Sequence, residues 1–107
     1  MMKKSNKLRL MTEITFYILL SLIEPLHGYA TMKNIKELSQ GTVIIGAGTM
    51  YTAFSTLSKD GLIKIVDEDD RRKYYQITQS GKVALLNQIR KLSIMVEHGQ
   101  NKINKLS

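Results

Sequence analysis

With 107 residues and 43% hydrophobic side chains, the chain is expected to form one small domain, near the size at which a lone core is thin and association with a second copy supplements it. Sixteen lysines and arginines against nine acids give a net charge of +7, the footprint of a polyanion binder. Cysteine is absent, which excludes a disulfide framework, a thiol nucleophile and a thiolate metal site, and nothing indicates export.

Lys3, Lys4, Lys7 and Arg9 make the start of the chain basic. No small-residue cleavage site follows a suitable apolar stretch, so residues 1–11 read as a flexible basic arm and not as a signal peptide. A first helix is expected from about Thr12, a good N-cap, to Glu24, with Pro25 ending it. Its apolar run, residues 14–23, is about half of the ~20 residues needed to span a bilayer, so no membrane segment is expected and the location is read as cytoplasmic. Phe16, Tyr17, Leu19 and Leu20 cannot face one core together, which makes Phe16 and Leu20 candidates for contact with a second subunit. His27-Gly28-Tyr29 reads as a turn. A second helix follows to about Ser39, with Tyr29, Met32, Ile35 and Leu38 as its core stripe. Residues 41–48 read as a loop around Val43-Ile44-Ile45, a candidate for the first strand of a sheet.

Residues 48–78 are the most informative stretch. Met50, Ala53, Phe54 and Leu57 fall three or four apart, the spacing of one helical stripe facing a core. The other face carries Thr49, Tyr51, Thr52, Ser55, Thr56 and Lys59, hydroxyls and a cation of a size that suits a DNA major groove. Gly61 supplies the helix stop. Alternation over residues 62–66 and 74–78 predicts a hairpin, joined by Asp67-Glu68-Asp69-Asp70-Arg71-Arg72-Lys73. Arg71, Arg72 and Lys73 at or just past its tip can reach phosphates or a narrow minor groove. The four acids either pair with the adjacent bases or hold the wing off DNA where the arginines are not aimed at it, and a plainly solvated zwitterionic turn is the bland alternative.

A last helix follows Thr78. Leu85, Ile89, Leu92, Val96, Gly99, Ile103 and Leu106 recur at intervals of four and three, a heptad seam. Leu85, Ile89, Leu92 and Val96 are its candidate dimer contacts. Gly99 is its flaw, because glycine costs up to about 1 kcal/mol in a helix, so a bend, fraying or an end is expected there.

These motifs occur in a recognisable order. TEITFYILLSLIEPLHGY, GTMYTAFSTLSKDGLI and DDRRKYYQIT together resemble the PadR family of winged-helix transcriptional regulators over residues 13–81, in the short form with a single C-terminal dimerisation helix. The resemblance implies a mainly helical fold with a small β-hairpin wing: a winged helix-turn-helix over residues 12–78 and a dimerisation helix over 79–107. It also implies a homodimer on a double-stranded operator of imperfect palindromic sequence, a repressor's role, and a DNA-backbone contact from Tyr51. In short relatives of this kind the space between subunits can bind flat hydrophobic compounds; the matching part of this chain carries Leu92 and Met95, so a small hydrophobic effector there and an effector-free repressor both stay open. Two departures stand out. Ala47 replaces a common proline, which loosens the loop, and Thr56 replaces a common base, which removes a cationic contact.

An enzyme is the rival class. His27 and His98 are the only histidines, neither in a metal-ligand spacing, and residues 67–70 lack the glycine and closing glutamate of a calcium loop. No phosphate-cradling glycine motif occurs, since Gly46-Ala47-Gly48 is too short, and no cofactor or metal is expected. The second reading kept beside the regulator is a winged-helix protein-interaction or dimerisation module that no longer binds specific DNA, motivated by Thr56.

Overall fold

The computed structural model describes residues 11–106; the basic arm with Lys3, Lys4, Lys7 and Arg9 lies outside them. Among the described residues, four helices and one hairpin follow in order: α1 Glu13–Ser21, α2 Gly28–Leu38, α3 Ala47–Lys59, β1 Ile63–Glu68, β2 Lys73–Ile77 and α4 Gln79–Asn104. The fold is mainly helical with a two-stranded antiparallel wing.

Thr12 caps α1 as expected, its hydroxyl accepting the amide of Thr15 at 3.1 Å. The helix stops at Ser21, earlier than Pro25 dictates. The Ile23 amide reaches only to the Leu20 carbonyl, at 3.5 Å, and beyond this turn the carbonyls of Leu22 and Ile23 accept the amide of Ile77 at 2.8 Å and the side-chain amide of Gln76 at 3.1 Å, so the segment is tied to β2 instead of continuing the helix. The turn expected at His27-Gly28-Tyr29 is instead the start of α2, with His27 as N-cap. Its Nδ1 accepts the amide of Ala30 at 3.3 Å, and its carbonyl takes the hydroxyl of Thr31 at 2.9 Å.

The core is built from Ile18, Leu19 and Leu22 of the first segment, Ile35 of α2, Met50, Phe54 and Leu57 of α3, and Ile63 and Ile77 of the hairpin, all buried. Fully burying side chains of this kind is worth roughly 1.5–3 kcal/mol each. The stripe on α2 differs from the one expected. Tyr29 is 63% exposed and Leu38 44% exposed, whereas Gly28, Thr31 and Ile35 face inward. Val43-Ile44-Ile45 forms no strand. It is an extended tie in which Val43 and Ile45 are buried and Ile44 faces out, pinned by Ser39, whose Oγ accepts the Val43 amide at 2.9 Å. The hairpin's third partner is Leu26, which exchanges two backbone hydrogen bonds with Tyr75 at 2.9 and 3.1 Å.

Helix α3 ends as its sequence requires. Gly61 adopts φ +77°, which a side chain resists, and the amides of Gly61 and Leu62 return to the carbonyls of Ser58 and Leu57 at 3.0 and 2.9 Å, a Schellman closure. Its start differs from expectation: Ala47 belongs to the first helical turn and Gly46 is the N-cap, not a loop position. The hairpin pairs Ile63 with Ile77 and Glu68 with Lys73, with a bulge at Val66, so Asp67 and Glu68 lie in strand β1 and the tip is Asp69 to Arg72.

Helix α4 continues through Gly99 to Asn104, so the glycine does not end it. Its first turns pack on α1, with Leu85 buried in the core. Beyond them the helix leaves the domain and gives the molecule a long axis of 59 Å.

Candidate nucleic-acid interface

At 3.6 residues per turn, Thr52, Ser55 and Lys59 lie opposite Met50, Phe54 and Leu57, with Thr49 and Thr56 on one flank and Tyr51 on the other. All of Thr49, Tyr51, Thr52, Ser55, Thr56 and Lys59 are exposed. The helix is therefore anchored by one apolar stripe and presents a shallow polar face. Arg71, Arg72 and Lys73 are exposed as well, the first two on the hairpin tip and the third opening β2.

Aromatic packing fixes the wing against the helix. Phe54 sits 4.6 Å from Tyr75 of β2, and Tyr51 meets Phe54 edge-on at 6.3 Å, within the range of favourable ring pairs. Tyr74 meets the ring of His27 edge-on at 5.5 Å. The first turn of α2 completes the cluster. A Cβ on Gly28 would come within 2.6 Å of the Tyr51 hydroxyl and 2.8 Å of the Met50 methyl, so glycine is what lets α3 approach. In the sequence Gly28 is legible only as part of the His27-Gly28-Tyr29 turn, with nothing local to mark the approach of α3. His27 serves as helix cap and aromatic neighbour, and His98 is exposed on α4.

The tip is held by one carboxylate. Asp69 Oδ1 accepts the amides of Arg71 and Arg72 at 3.0 and 2.9 Å, and Oδ2 accepts the hydroxyl of Tyr74 at 3.3 Å. The Arg71 amide, then the Arg72 amide, the Tyr74 hydroxyl and the Arg72 charge hold this carboxyl below the usual aspartate range. The four acids thus have distinct positions: Asp67 and Glu68 in the strand, Asp69 on backbone amides, and Asp70 exposed at the tip.

On α4, Ile89, Leu92 and Val96 are exposed, and so is Met95 one turn along from Leu92. Phe16 and Leu20 on α1 are half-buried against the core. Leu85 is absorbed by the chain's own core, so the exposed stretch of the heptad seam begins at Ile89. Among the described residues no group of three or more His, Cys, Asp and Glu side chains is placed to hold a metal, and no helix is long and apolar enough to cross a membrane.

A helix-turn-helix whose last helix runs into a two-stranded wing defines the winged-helix class of DNA-binding domain. The model of the transcriptional regulator PadR-like family matches residues 18–87, and the chain belongs to that family of non-enzymatic, DNA-binding transcription regulators. Solved structures agree. A transcriptional regulator from Clostridium thermocellum is 29% identical, with TM-score 0.67 over 85% of this chain and 88% of that one. A PadR family regulator from Clostridium difficile is 22% identical, with TM-score 0.65 over 83% and 97%. A PadR-like regulator from Bacillus cereus is 21% identical, with TM-score 0.70 over 84% and 90%. A search of curated proteins gave no significant match.

Proposed function

We propose that the chain works as a homodimeric, sequence-specific repressor that lays α3 in the major groove of a palindromic operator and rests its wing on the flanking backbone. The observation that carries this reading is the Tyr51–Phe54–Tyr75 packing, which supports a fixed relation between a polar helix face and a basic tip. Thr52 and Ser55 are assigned to base edges, and Tyr51, Lys59, Arg71, Arg72 and Lys73 to phosphates. Thr49 and Thr56 border the same face and serve as shorter contacts at its margin. The domain boundary is put at Thr78, with residues 12–78 reading DNA and 79–107 pairing subunits.

The second subunit covers Ile89, Leu92 and Val96 of α4, together with Phe16 and Leu20 of α1. An exposed apolar row of this length is uncommon on a monomer. A small hydrophobic effector is assigned to the same region, beside Leu92 and Met95, where aliphatic and thioether side chains make an adaptable lining. Comparing affinities for a selected operator and for a random duplex tests the DNA reading. Thr52→Ala and Ser55→Ala should each cost about 1–3 kcal/mol on the operator and much less on the random duplex; equal losses on both would reduce them to backbone contacts.

A further inference from the structure

An acidic residue at the tip of a DNA-facing wing is paradoxical, because its charge opposes phosphate. Asp69 resolves the paradox by its bonds. Its carboxylate accepts the backbone amides of Arg71 and Arg72, and its own amide donates to the Arg72 carbonyl at 2.9 Å. The tip residues Asp69 to Arg72 are thereby closed into one turn. The second carboxylate oxygen takes the Tyr74 hydroxyl, and the Tyr74 ring packs on His27, the N-cap of α2. An unbroken series of contacts thus runs from the two arginine amides to the body of the helix-turn-helix.

We propose that Asp69 is a positioning residue for DNA binding: it presents Arg71 and Arg72 to the phosphate backbone by fixing the wing tip, and touches no DNA itself. A free tip would have to lose backbone entropy on binding, while a tip already closed does not. Lowered affinity is therefore expected when the carboxylate is removed. The electrostatic argument alone predicts the opposite sign, since deleting a negative charge beside phosphate should strengthen binding. The neighbour Asp70 supplies the control, because Asp70→Ala removes the same charge one residue along and none of these bonds.

The inference rests on the wing contacting DNA, and the test separates the two. Affinity of the full chain for a random-sequence duplex of about 30 base pairs is measured against salt concentration for Arg71→Ala/Arg72→Ala, Asp69→Ala, Asp69→Asn, Asp70→Ala and Tyr74→Phe. The double arginine variant should bind more weakly, with a log-log salt slope flattened by roughly 0.9 per lost contact; wild-type affinity and slope would end the wing reading and this inference with it. Given that weakening, Asp69→Ala should lose roughly fivefold. Asp70→Ala should bind at least as tightly as wild type. Asp69→Asn keeps an amide acceptor and should recover most of the loss, and Tyr74→Phe, which cuts only the hydroxyl link, should fall between. In the double arginine background Asp69→Ala should have no further effect. Asp69→Ala binding as tightly as Asp70→Ala, or losing as much with the arginines absent, would overturn the positioning role while leaving the wing contact in place.

Discussion

Tyr51 lies over the Cα of Gly28, so close that a methyl group there would stand 2.6 Å from its hydroxyl oxygen and 3.0 Å from its ring carbon Cζ. The opening residue of α2 thus sets the orientation of an aromatic at the edge of the polar face of α3. Two sequence motifs separated by the rest of α2 and a loop, His27-Gly28-Tyr29 and Gly48-Thr49-Met50-Tyr51, are one packing unit.

Gly28→Ala consequently has two opposed effects on stability. Alanine gains at most about 1 kcal/mol of helix propensity, less at this first helical position than in a helix interior, and an overpacked contact costs about 1–3 kcal/mol where the neighbours cannot move. The atoms in the way are the ends of the Tyr51 and Met50 side chains, which can swing aside. The variant is expected to keep its melting free energy within about 1 kcal/mol of wild type while losing duplex affinity, because Tyr51 is displaced from its seat. Thermal melting beside a binding isotherm checks this. Unaltered DNA affinity would show that the tyrosine's position is irrelevant to binding.

Ala47 occupies the first helical position of α3, where the amide has no intrahelical acceptor, and Gly46 before it has φ −81° and ψ 161°, values a residue preceding proline accepts. Ala47→Pro should therefore stabilise the fold by about 0.4–1 kcal/mol through the unfolded state. Chemical denaturation measures it. A destabilised protein would mean that the backbone at this helix start is not the one described.

How much of this was legible in the sequence depended on whether the contacts were local. The α3 stripe was readable because Met50, Phe54 and Leu57 sit on one side of a single helix. The α2 stripe failed for a geometric reason. Residues spaced by three regress about 60° around a helix at each step, so Tyr29 and Leu38, nine positions apart, end on opposite sides and both become exposed. A glycine and a threonine fill the inward positions instead. The end of α1 is not legible locally, because the segment after it is tied to Gln76 and Ile77 of β2, and residues 43–45 form no strand, the Val43 amide being taken by the Ser39 side chain. On the candidate site the exposed hydroxyls and arginines were visible as residue types. The role of Asp69 was not, since an acid bonded to amides two and three residues ahead looks in sequence like any acid in a charged run.

Thr78 joins α3 to α4. Its hydroxyl donates to the Gly61 carbonyl at 2.6 Å and accepts the Gly81 amide at 3.1 Å, linking the C-terminal closure of α3 with the N-cap of α4. Thr78→Val should cost about 1–2 kcal/mol, and Thr78→Ser should restore most of it. Thr78→Asp retains the cap acceptor and lacks the donor for Gly61, so the gap between Ser and Asp in denaturation reports the tie to α3. Equal stability of the Ser and Asp variants would reduce Thr78 to a helix cap.

The seam on α4 gives a test of assembly. Leu92 is 37% exposed on the single chain, and in the proposed dimer it is covered. Leu92→Asp would then bury a charge at a cost of several kcal/mol. Sedimentation should show dimers for the wild type and monomers for the variant, with duplex affinity falling in parallel. A wild-type monomer, or a variant that remains dimeric, would exclude this stretch of α4 as the interface.

Sequence-specific recognition by a two-fold dimer is read out by selection from a random duplex pool with the purified wild-type protein. Two copies of α3 reach successive major grooves only when spaced by about one helical turn, roughly 34 Å. The enriched sequences should therefore share an imperfect palindrome whose half-site centres lie about 10 base pairs apart. A pool that stays random after repeated rounds, or that yields an unpaired motif without two-fold symmetry, would contradict the account.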